Sequence, residues 1–217
     1  MPQLVAPEEW DEFKKALETP LPFTYRITGS KGEAHELRDV MKERYFTAIM
    51  DPTAMPKPIP WYPEELGWSF NLTRREVKKS PGFKAFHQFL VNETELGNIS
   101  RQEAVSMLPP MFLDVQAGHK VLDMCAAPGS KTAQLIETVH GDSLTESGDE
   151  MPTGMVIAND SDLKRAFILI HQTQRLLSPC TAVTNLDATS FPTVFLPPTT
   201  VRLLSRARCI SSKFLTK

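Results

Sequence analysis

The sequence predicts an α/β fold in which part of a parallel sheet follows a small α+β domain. One observation is an apolar strand at Val121 that runs directly into a small-residue turn and then into a helix. A second is a pair of later strands with a helix between them, the order typical of parallel sheets. The third is the different, mixed character of the residues before the turn.

The first elements are predicted from helical and strand periodicity. An amphipathic helix over residues 8–17 ends before Pro20, and residues 23–27 form a strand. The helix places its apolar side chains on one face: Trp10, Phe13 and Leu17. A second amphipathic helix covers residues 32–48. It is expected to bury Leu37, Val40, Met41 and Phe46.

Prolines and a capping pattern organise the middle of the chain. Five prolines between residues 52 and 63 favour extended backbone, which predicts a linker or a loop laid over a surface. Residues 83–91 predict a helix. The segment Ser100-Arg-Gln-Glu103 matches a capping box that would start another helix, and the proline pair at 109–110 should break or kink it.

The most informative segment is the strand, turn and helix over residues 121–132. Small residues in the Ala-Ala-Pro-Gly turn let a ligand approach the backbone, and residues 130–140 then carry helical periodicity. Free N–H groups of the first helical turn would face a bound group. The ordinary alternative is a strand-to-helix loop without a ligand.

The glycine pattern separates the cofactors that such a turn could hold. A dinucleotide fingerprint needs three glycines, and a phosphate loop needs a glycine five residues before its Gly-Lys-Thr. Gly129 is the only glycine of this turn. A nucleotide hydrolase built on residues 129–132 is therefore a weak alternative, which ATP binding would be needed to revive.

Two acids follow the turn at the ends of later strands. The strand over residues 155–159 ends in Asp160, a helix covers residues 163–177, and the strand over residues 181–184 leads to Asp187. Singly, each acid also fits a loop or cap carboxylate. The carboxyl ends of neighbouring parallel strands share one edge, so the two acids together predict a nucleoside site.

The turn resembles motif I of the Nop/Sun (RsmB/NOP-type) family of S-adenosylmethionine-dependent RNA cytosine-5 methyltransferases, which reads Asp-x-Cys-Ala-Ala-Pro-Gly-Gly-Lys-Thr. Ser130 stands where most members have a second glycine, a change that the tRNA-acting branch tolerates. The resemblance runs from about Leu21 to Pro192, is strong again at 61–65 and 97–107, and is strongest for the tRNA-acting member. It implies the first half of a Rossmann-like class I methyltransferase sheet.

The resemblance also implies the ligands and the site. S-adenosylmethionine would be the cofactor, RNA and most of all tRNA the partner, and the nucleus or nucleolus the location. Asp160 would bind the ribose and Asp187 would lie beside the adenine amine. The predicted cofactor-binding residues are Cys125, Ala126, Ala127, Pro128, Gly129, Ser130, Lys131, Asp160 and Asp187. No metal site is predicted.

The family's chemistry needs two cysteine segments that this sequence lacks. A thiolate adds to C6 of cytosine, which makes C5 nucleophilic, and the segments Asp-x-Pro-Cys-Ser-Gly and Thr-Cys-Ser carry the cysteines. Neither occurs among the 217 residues. Cys180 precedes a strand, away from the ligand-binding edge, and is interpreted as a core or edge thiol. Cys209 lies beside Arg206 and Arg208, which would favour its thiolate if they lie close, and its reactivity is interpreted as incidental.

Three regions follow from these patterns. Residues 1–95 form an α+β or helical region that is a candidate RNA-contacting domain, residues 96–192 a partial methyltransferase domain, and residues 193–217 a divergent basic tail. Without the family's remaining strands, the first parallel strand would be a sheet edge, which predicts marginal stability. No catalytic residue is assigned, and the chain is expected to be inactive alone. The alternative function is a non-catalytic fragment that binds RNA or a protein partner.

A basic run next to aromatic residues is the candidate RNA surface. It consists of Arg74, Arg75, Lys78, Lys79 and Lys84, with Trp61, Tyr62 and Trp68 nearby. The alternative, which the sequence favours, is a solvated helix face over core aromatics.

No apolar run is long enough to span a membrane, and three scattered cysteines predict neither a disulfide framework nor a zinc site. A monomer is expected.

Overall fold

Two four-stranded sheets organise the chain in a computed structural model, which describes residues 5–29, 32–49, 55–70, 81–140, 152–192 and 201–204. The first sheet is antiparallel and the second is parallel. This arrangement confirms the predicted α/β class.

The antiparallel sheet has the strand order β2-β3-β1-β4. Its strands are β1 (Phe23–Ile27), β2 (Lys57–Pro58), β3 (Gly67–Phe70) and β4 (Ile99–Arg101). The central strand β1 is the one predicted over residues 23–27. Because β4 belongs to this sheet, the sheet extends past residue 95, where the sequence places the first boundary. An aromatic core covers one face: Tyr25, Phe46, Trp68, Phe86 and Phe89.

Among the described residues, four α-helices precede the parallel sheet in the chain. They are α1 (Trp10–Glu18), α2 (Ala34–Val40), α3 (Pro81–Glu95) and α4 (Ala104–Phe112). Short 3-10 turns cover Pro7–Glu9 and Pro63–Glu65. The helix α2 continues as a π-helical turn over Met41–Tyr45 and a 3-10 turn over Phe46–Ala48.

The second helix differs from its prediction at one position. Met41 and Phe46 are buried and Leu37 packs partly against the same core, as expected, but Val40 is exposed. The α-helical part ends at Val40, and the residue buried at this turn is Met41, the first of the π-helical turn. In α1 the predicted apolar face is present, yet all of its side chains are exposed.

The predicted capping box is wrong. Ser100 lies in β4 opposite Arg26, so it cannot cap a helix, and Glu103 occupies the N-cap position without a side-chain cap. The helix α4 also continues through Pro109 and Pro110 to Phe112 instead of breaking. A proline has no N–H, so Pro110 leaves the Ser106 carbonyl without its helical partner. That carbonyl accepts a hydrogen bond from Gln102 Nε2 at 2.9 Å.

The parallel sheet has the strand order β7-β6-β5-β8. Its strands are β5 (Lys120–Asp123), β6 (Met155–Asn159), β7 (Thr181–Thr184) and β8 (Val201–Leu204). The helix α5 (Ser130–His140) connects β5 to β6, and α6 (Leu163–Gln174) connects β6 to β7. A 3-10 turn at Ala188–Ser190 follows β7. These elements confirm the three predicted strands and both predicted helices, although α6 ends before Leu177.

The first parallel strand is not an edge, contrary to expectation. Residues 120–123 of β5 pair with 201–204 of β8 on one side and with β6 on the other. The segment Val-Arg-Leu-Leu at residues 201–204 pairs with β5 in the place expected for the family's own later strands. The physical reason for expecting marginal stability, an unpaired β5, therefore does not hold.

A buried polar network joins the two sheets. Arg26 of β1 is fully buried, and its Nη1 lies 2.6 Å from both carboxylate oxygens of Glu137 on α5. Arg26 Nε donates to Gln102 Oε1 at 2.8 Å, and Gln102 Nε2 lies 3.2 Å from Gln134 Oε1. The backbone N–H of Gly29 also donates to Glu137. The sheets are therefore connected through a largely buried ion pair and its hydrogen bonds.

Candidate cofactor-binding site

The turn after β5 is held from both sides. Asp123 at the end of β5 is buried and accepts a hydrogen bond at 2.8 Å from Thr132 Oγ1 in the first turn of α5. On the other side, Ala126 N donates to the Asn159 carbonyl at 2.7 Å, and Ala127 N donates to Asp160 Oδ2 at 3.2 Å. The amides of Ala126 and Ala127 thus bond within the protein.

Asn159 is the residue that the sequence analysis missed. Its side chain is fully buried, and its Nδ2 donates to the carbonyls of Met124 and Leu186 at 3.1 and 2.9 Å. Its Oδ1 accepts from Thr184 Oγ1 and from Leu186 N at 2.8 and 3.0 Å. One amide side chain therefore ties together the ends of β5, β6 and β7. The only sequence signal for this role was a polar residue at the end of an otherwise apolar strand.

Asp160 lies at the carboxyl end of β6, directly against the turn. Its Oδ2 accepts from Ala127 N and lies 3.4 Å from Arg165 Nη2, and its Oδ1 accepts from Asp162 N at 3.1 Å. Arg165 also donates to the Ala127 carbonyl at 2.7 Å. Asp160 and the turn are therefore one connected unit, with Arg165 as a partner that the sequence pattern did not indicate.

Asp187 follows β7 and is exposed. Its Oδ1 accepts hydrogen bonds from the backbone N–H and the hydroxyl of Thr189, which lower the pKa of the Asp187 carboxyl below its usual range. It is therefore an anion at neutral pH. This contact makes it the N-cap of the 3-10 turn at 188–190, so the cap role considered from sequence is present here.

A cavity of about 280 Å³ opens beside the turn. Six of the predicted cofactor-binding residues line it: Cys125, Ala126, Ala127, Pro128, Ser130 and Lys131. Opposite them are Arg101, Gln102, Glu103 and Ser106 from the end of the first sheet and the start of α4. Lys131 Nζ donates to Ser106 Oγ at 3.1 Å across this cavity. The structure brings Asp160 into contact with the turn. Neither Asp160 nor Asp187 is among the residues that line this cavity.

Gly129 closes the turn in a backbone conformation that favours glycine. Its φ is +113°, and an added Cβ would lie 3.0 Å from Leu169 Cδ1 and 3.4 Å from Gln172 Cβ. The residue therefore allows α6 to pack directly against the turn.

Replacing Gly129 by alanine should destabilise the protein by about 2 kcal/mol, because the side chain is strained at this φ and crowds α6. Urea unfolding followed by circular dichroism measures the loss. Gly32→Ala is the matched control, since a Cβ there meets nothing within 4 Å. Equal midpoints for the two variants would contradict the assigned role of Gly129.

The cysteines agree with their interpretation where the structure describes them. Cys180 is buried just before β7 in the cluster that contains Val121 and Val156, which confirms a core thiol. Cys125 is half-buried in the turn. Cys209 lies outside the described residues.

The candidate RNA surface is only partly described. Residues 74–79, which carry four of the five basic side chains, lie outside the described residues. Trp68 is buried in the aromatic core, so it is not available to stack on a base, and that part of the RNA hypothesis is wrong. Trp61 is exposed to 41%.

Comparisons with known proteins agree with this architecture. The family described as 16S rRNA methyltransferase RsmB/F matches residues 110–217. A multisite-specific tRNA:(cytosine-C(5))-methyltransferase of Saccharomyces cerevisiae is 46% identical over 87% of the chain, which corresponds to 28% of that relative. The chain belongs to the RsmB/F methyltransferase family. A tRNA (cytosine(34)-C(5))-methyltransferase of Drosophila melanogaster is 45% identical over 85% of this RsmB/F chain and 26% of its own length.

A solved structure also resembles this RsmB/F chain. It is a methyltransferase homologue from Pyrococcus horikoshii, with 25% identity and a TM-score of 0.59 over 83% of the chain and 49% of that structure. The chain spans about a quarter of the length of the two relatives named above. Within the described ranges, no helix of this chain is both long enough and apolar enough to cross a membrane.

Proposed function

We propose that this chain binds S-adenosylmethionine and forms the cofactor-binding part of a tRNA cytosine-5 methyltransferase. The observation that carries the proposal is the β5–α5 turn, which Gly129 and Asp160 hold beside an open cavity. The names of the yeast and fly relatives support tRNA as the substrate class and C5 of cytosine as the methylated atom.

The residues of the site fit a nucleoside with an attached amino acid. The turn from Cys125 to Lys131 would receive the methionine portion, whose carboxylate suits the start of a helix. Asp160 would bind the ribose hydroxyls. A carboxylate has about four acceptor positions, and the three contacts of Asp160 within the protein leave capacity for such a ligand. Asp187, an exposed anion, would lie beside the adenine amine.

When bound, S-adenosylmethionine supplies an electrophilic methyl group. The residues of this chain would bind and orient it, and the closed packing of Leu169 under Gly129 would limit water behind the turn. No cysteine of the described residues lines the cavity except Cys125, which belongs to the turn itself. The addition of a thiolate to cytosine is therefore assigned to none of the described residues.

Titration calorimetry tests the cofactor assignment. The 217-residue chain should bind S-adenosylmethionine, and Asp160→Asn should weaken binding by about tenfold or more, because a hydrogen bond to a charged group is lost. Asp39→Asn is the control, since Asp39 is exposed and pairs with Arg38 away from the turn. If the unaltered chain binds no S-adenosylmethionine, the assignment is wrong.

Methyl transfer separates the two candidate functions. Because the sequence lacks both cysteine segments, we expect cofactor binding without transfer of a tritiated methyl group to unmodified tRNA. This outcome favours the second candidate for the chain by itself, a non-catalytic fragment that binds RNA or a protein partner. Transfer of label would instead require a nucleophile within these residues.

Nuclear residence and a monomeric state are further proposals, which imaging of the tagged chain and light scattering would test.

A further inference from the structure

A second cavity, of about 310 Å³, lies between the antiparallel sheet and the helices of the parallel sheet. Thr28 and Arg101 line it from the antiparallel sheet and its loops, and Ser130 lines it from the start of α5. Gln172 of α6 and Arg175 just after that helix complete the opposite wall. This interdomain cleft, as we call it, is formed only when the two sheets are packed together.

The charges in the interdomain cleft all have one sign. Arg101 and Arg175 are its charged lining residues, and no Asp or Glu lines it. In the part of the chain that the structure describes, neither arginine forms an ion pair. Arg175 Nη1 donates to the Thr94 carbonyl at 2.9 Å, which orients its guanidinium. The guanidinium of Arg101 is supported by the Phe23 ring at 5.4 Å.

The interdomain cleft adjoins the cofactor cavity, because Arg101, Pro128 and Ser130 line both. Arg101 therefore lies at the boundary between the two cavities. Hydroxyl groups of Ser100 and Ser130 and the amide of Gln172 supply further hydrogen-bond donors in the cleft.

We propose that the interdomain cleft binds a backbone phosphate of the RNA substrate through Arg101 and Arg175. The inference rests on the proposed function and specifies where the RNA backbone lies. A guanidinium presents a planar fork of N–H donors that matches a phosphate, and two such groups in a cleft whose lining residues include no carboxylate favour an anion over any cation. RNA fits better than a free anion because the cleft adjoins the cofactor cavity, so that one polymer can occupy both.

Fluorescence anisotropy with a labelled tRNA transcript tests the proposal. Arg101→Gln should weaken binding by about tenfold, since a charged contact to phosphate is lost. It should also reduce the slope of log K against log salt by about 0.7. Arg101→Lys keeps the charge and should restore the slope. Arg101 is exposed, so the variants should remain folded, which circular dichroism verifies.

Arg44→Gln provides the matched control. Arg44 is exposed and also lies over an aromatic ring, that of Tyr45 at 5.9 Å, but it does not line the cleft. Unchanged affinity of this variant, with weak binding by Arg101→Gln, supports the proposal. Equal losses in both variants, an unchanged salt slope in Arg101→Gln, or no RNA binding at low salt would each overturn it. Cofactor binding by calorimetry is independent of these results, so failure of the cleft and failure of the cofactor site are distinguishable.

Discussion

Replacing Glu137 by glutamine should lower the free energy of unfolding by about 3–5 kcal/mol, the usual cost of removing one partner from a buried ion pair. Arg26 has no exposed surface, and both carboxylate oxygens of Glu137 lie 2.6 Å from its Nη1. Burial disfavours the charge of Arg26, but Glu137 and Tyr62 together more than offset this, so the pKa of Arg26 is raised and its side chain stays charged. Glutamine would leave that charge without its counterion inside the protein.

Urea unfolding measures this effect, and Glu65→Gln is the control. Glu65 makes the same kind of contact with Lys42 at the surface, where both side chains are accessible to water, so its replacement should leave the midpoint unchanged. The double variant R26M/E137L removes both buried charges and should recover most of the lost stability. If Glu137→Gln unfolds at the same urea concentration as Glu65→Gln, the buried pair does not join the sheets as described.

Replacing Asn159 by alanine should cost about 3 kcal/mol, because two backbone carbonyls and one backbone N–H would lose their partners in a buried site. The same change should abolish S-adenosylmethionine binding under the proposed function, since Asn159 fixes Met124 of the turn relative to Asp160. Urea unfolding and calorimetry on the same preparation measure the two effects.

Asn92→Ala is the control for this prediction. Asn92 is exposed on α3, where its Oδ1 accepts from Gln88 one helical turn earlier, and we expect a change below about 0.5 kcal/mol. A loss in Asn159→Ala no greater than that of Asn92→Ala would show that the strand ends are held by other contacts.

The strands and the turn could be predicted from sequence because their signals are local. Apolar runs at β5 and β6 and small residues before Gly129 are typical of a ligand-binding strand-to-helix turn in any context. The errors occurred where a distant contact decides the structure. Ser100 has a capping pattern, but pairing with β1 places it in a strand, and β8 became visible only through its pairing with β5.

The candidate site shows the same division. The residues of the turn are adjacent in sequence, so their grouping in one cavity followed from the local pattern. The role of Asn159 could not be predicted, because its four hydrogen bonds reach residues of two distant segments, at the ends of β5 and β7. Likewise, nothing in the local sequence indicated that Arg165 would contact both Asp160 and the turn. Periodicity identifies which residues are buried, whereas hydrogen-bond partners depend on the complete tertiary arrangement.

The charge pair between Arg26 and Glu137 also limits how the chain can be recombined with its relatives. In a chimera, the segment with β1 determines whether position 26 is an arginine. The segment with α5 must then have an acid at position 137 to pair with it. Crossover points between residues 27 and 136 would separate the two partners, so a hybrid that receives only one of them would hold an unpaired charge in its interior. The strand β1 and the helix α5 should therefore be exchanged together.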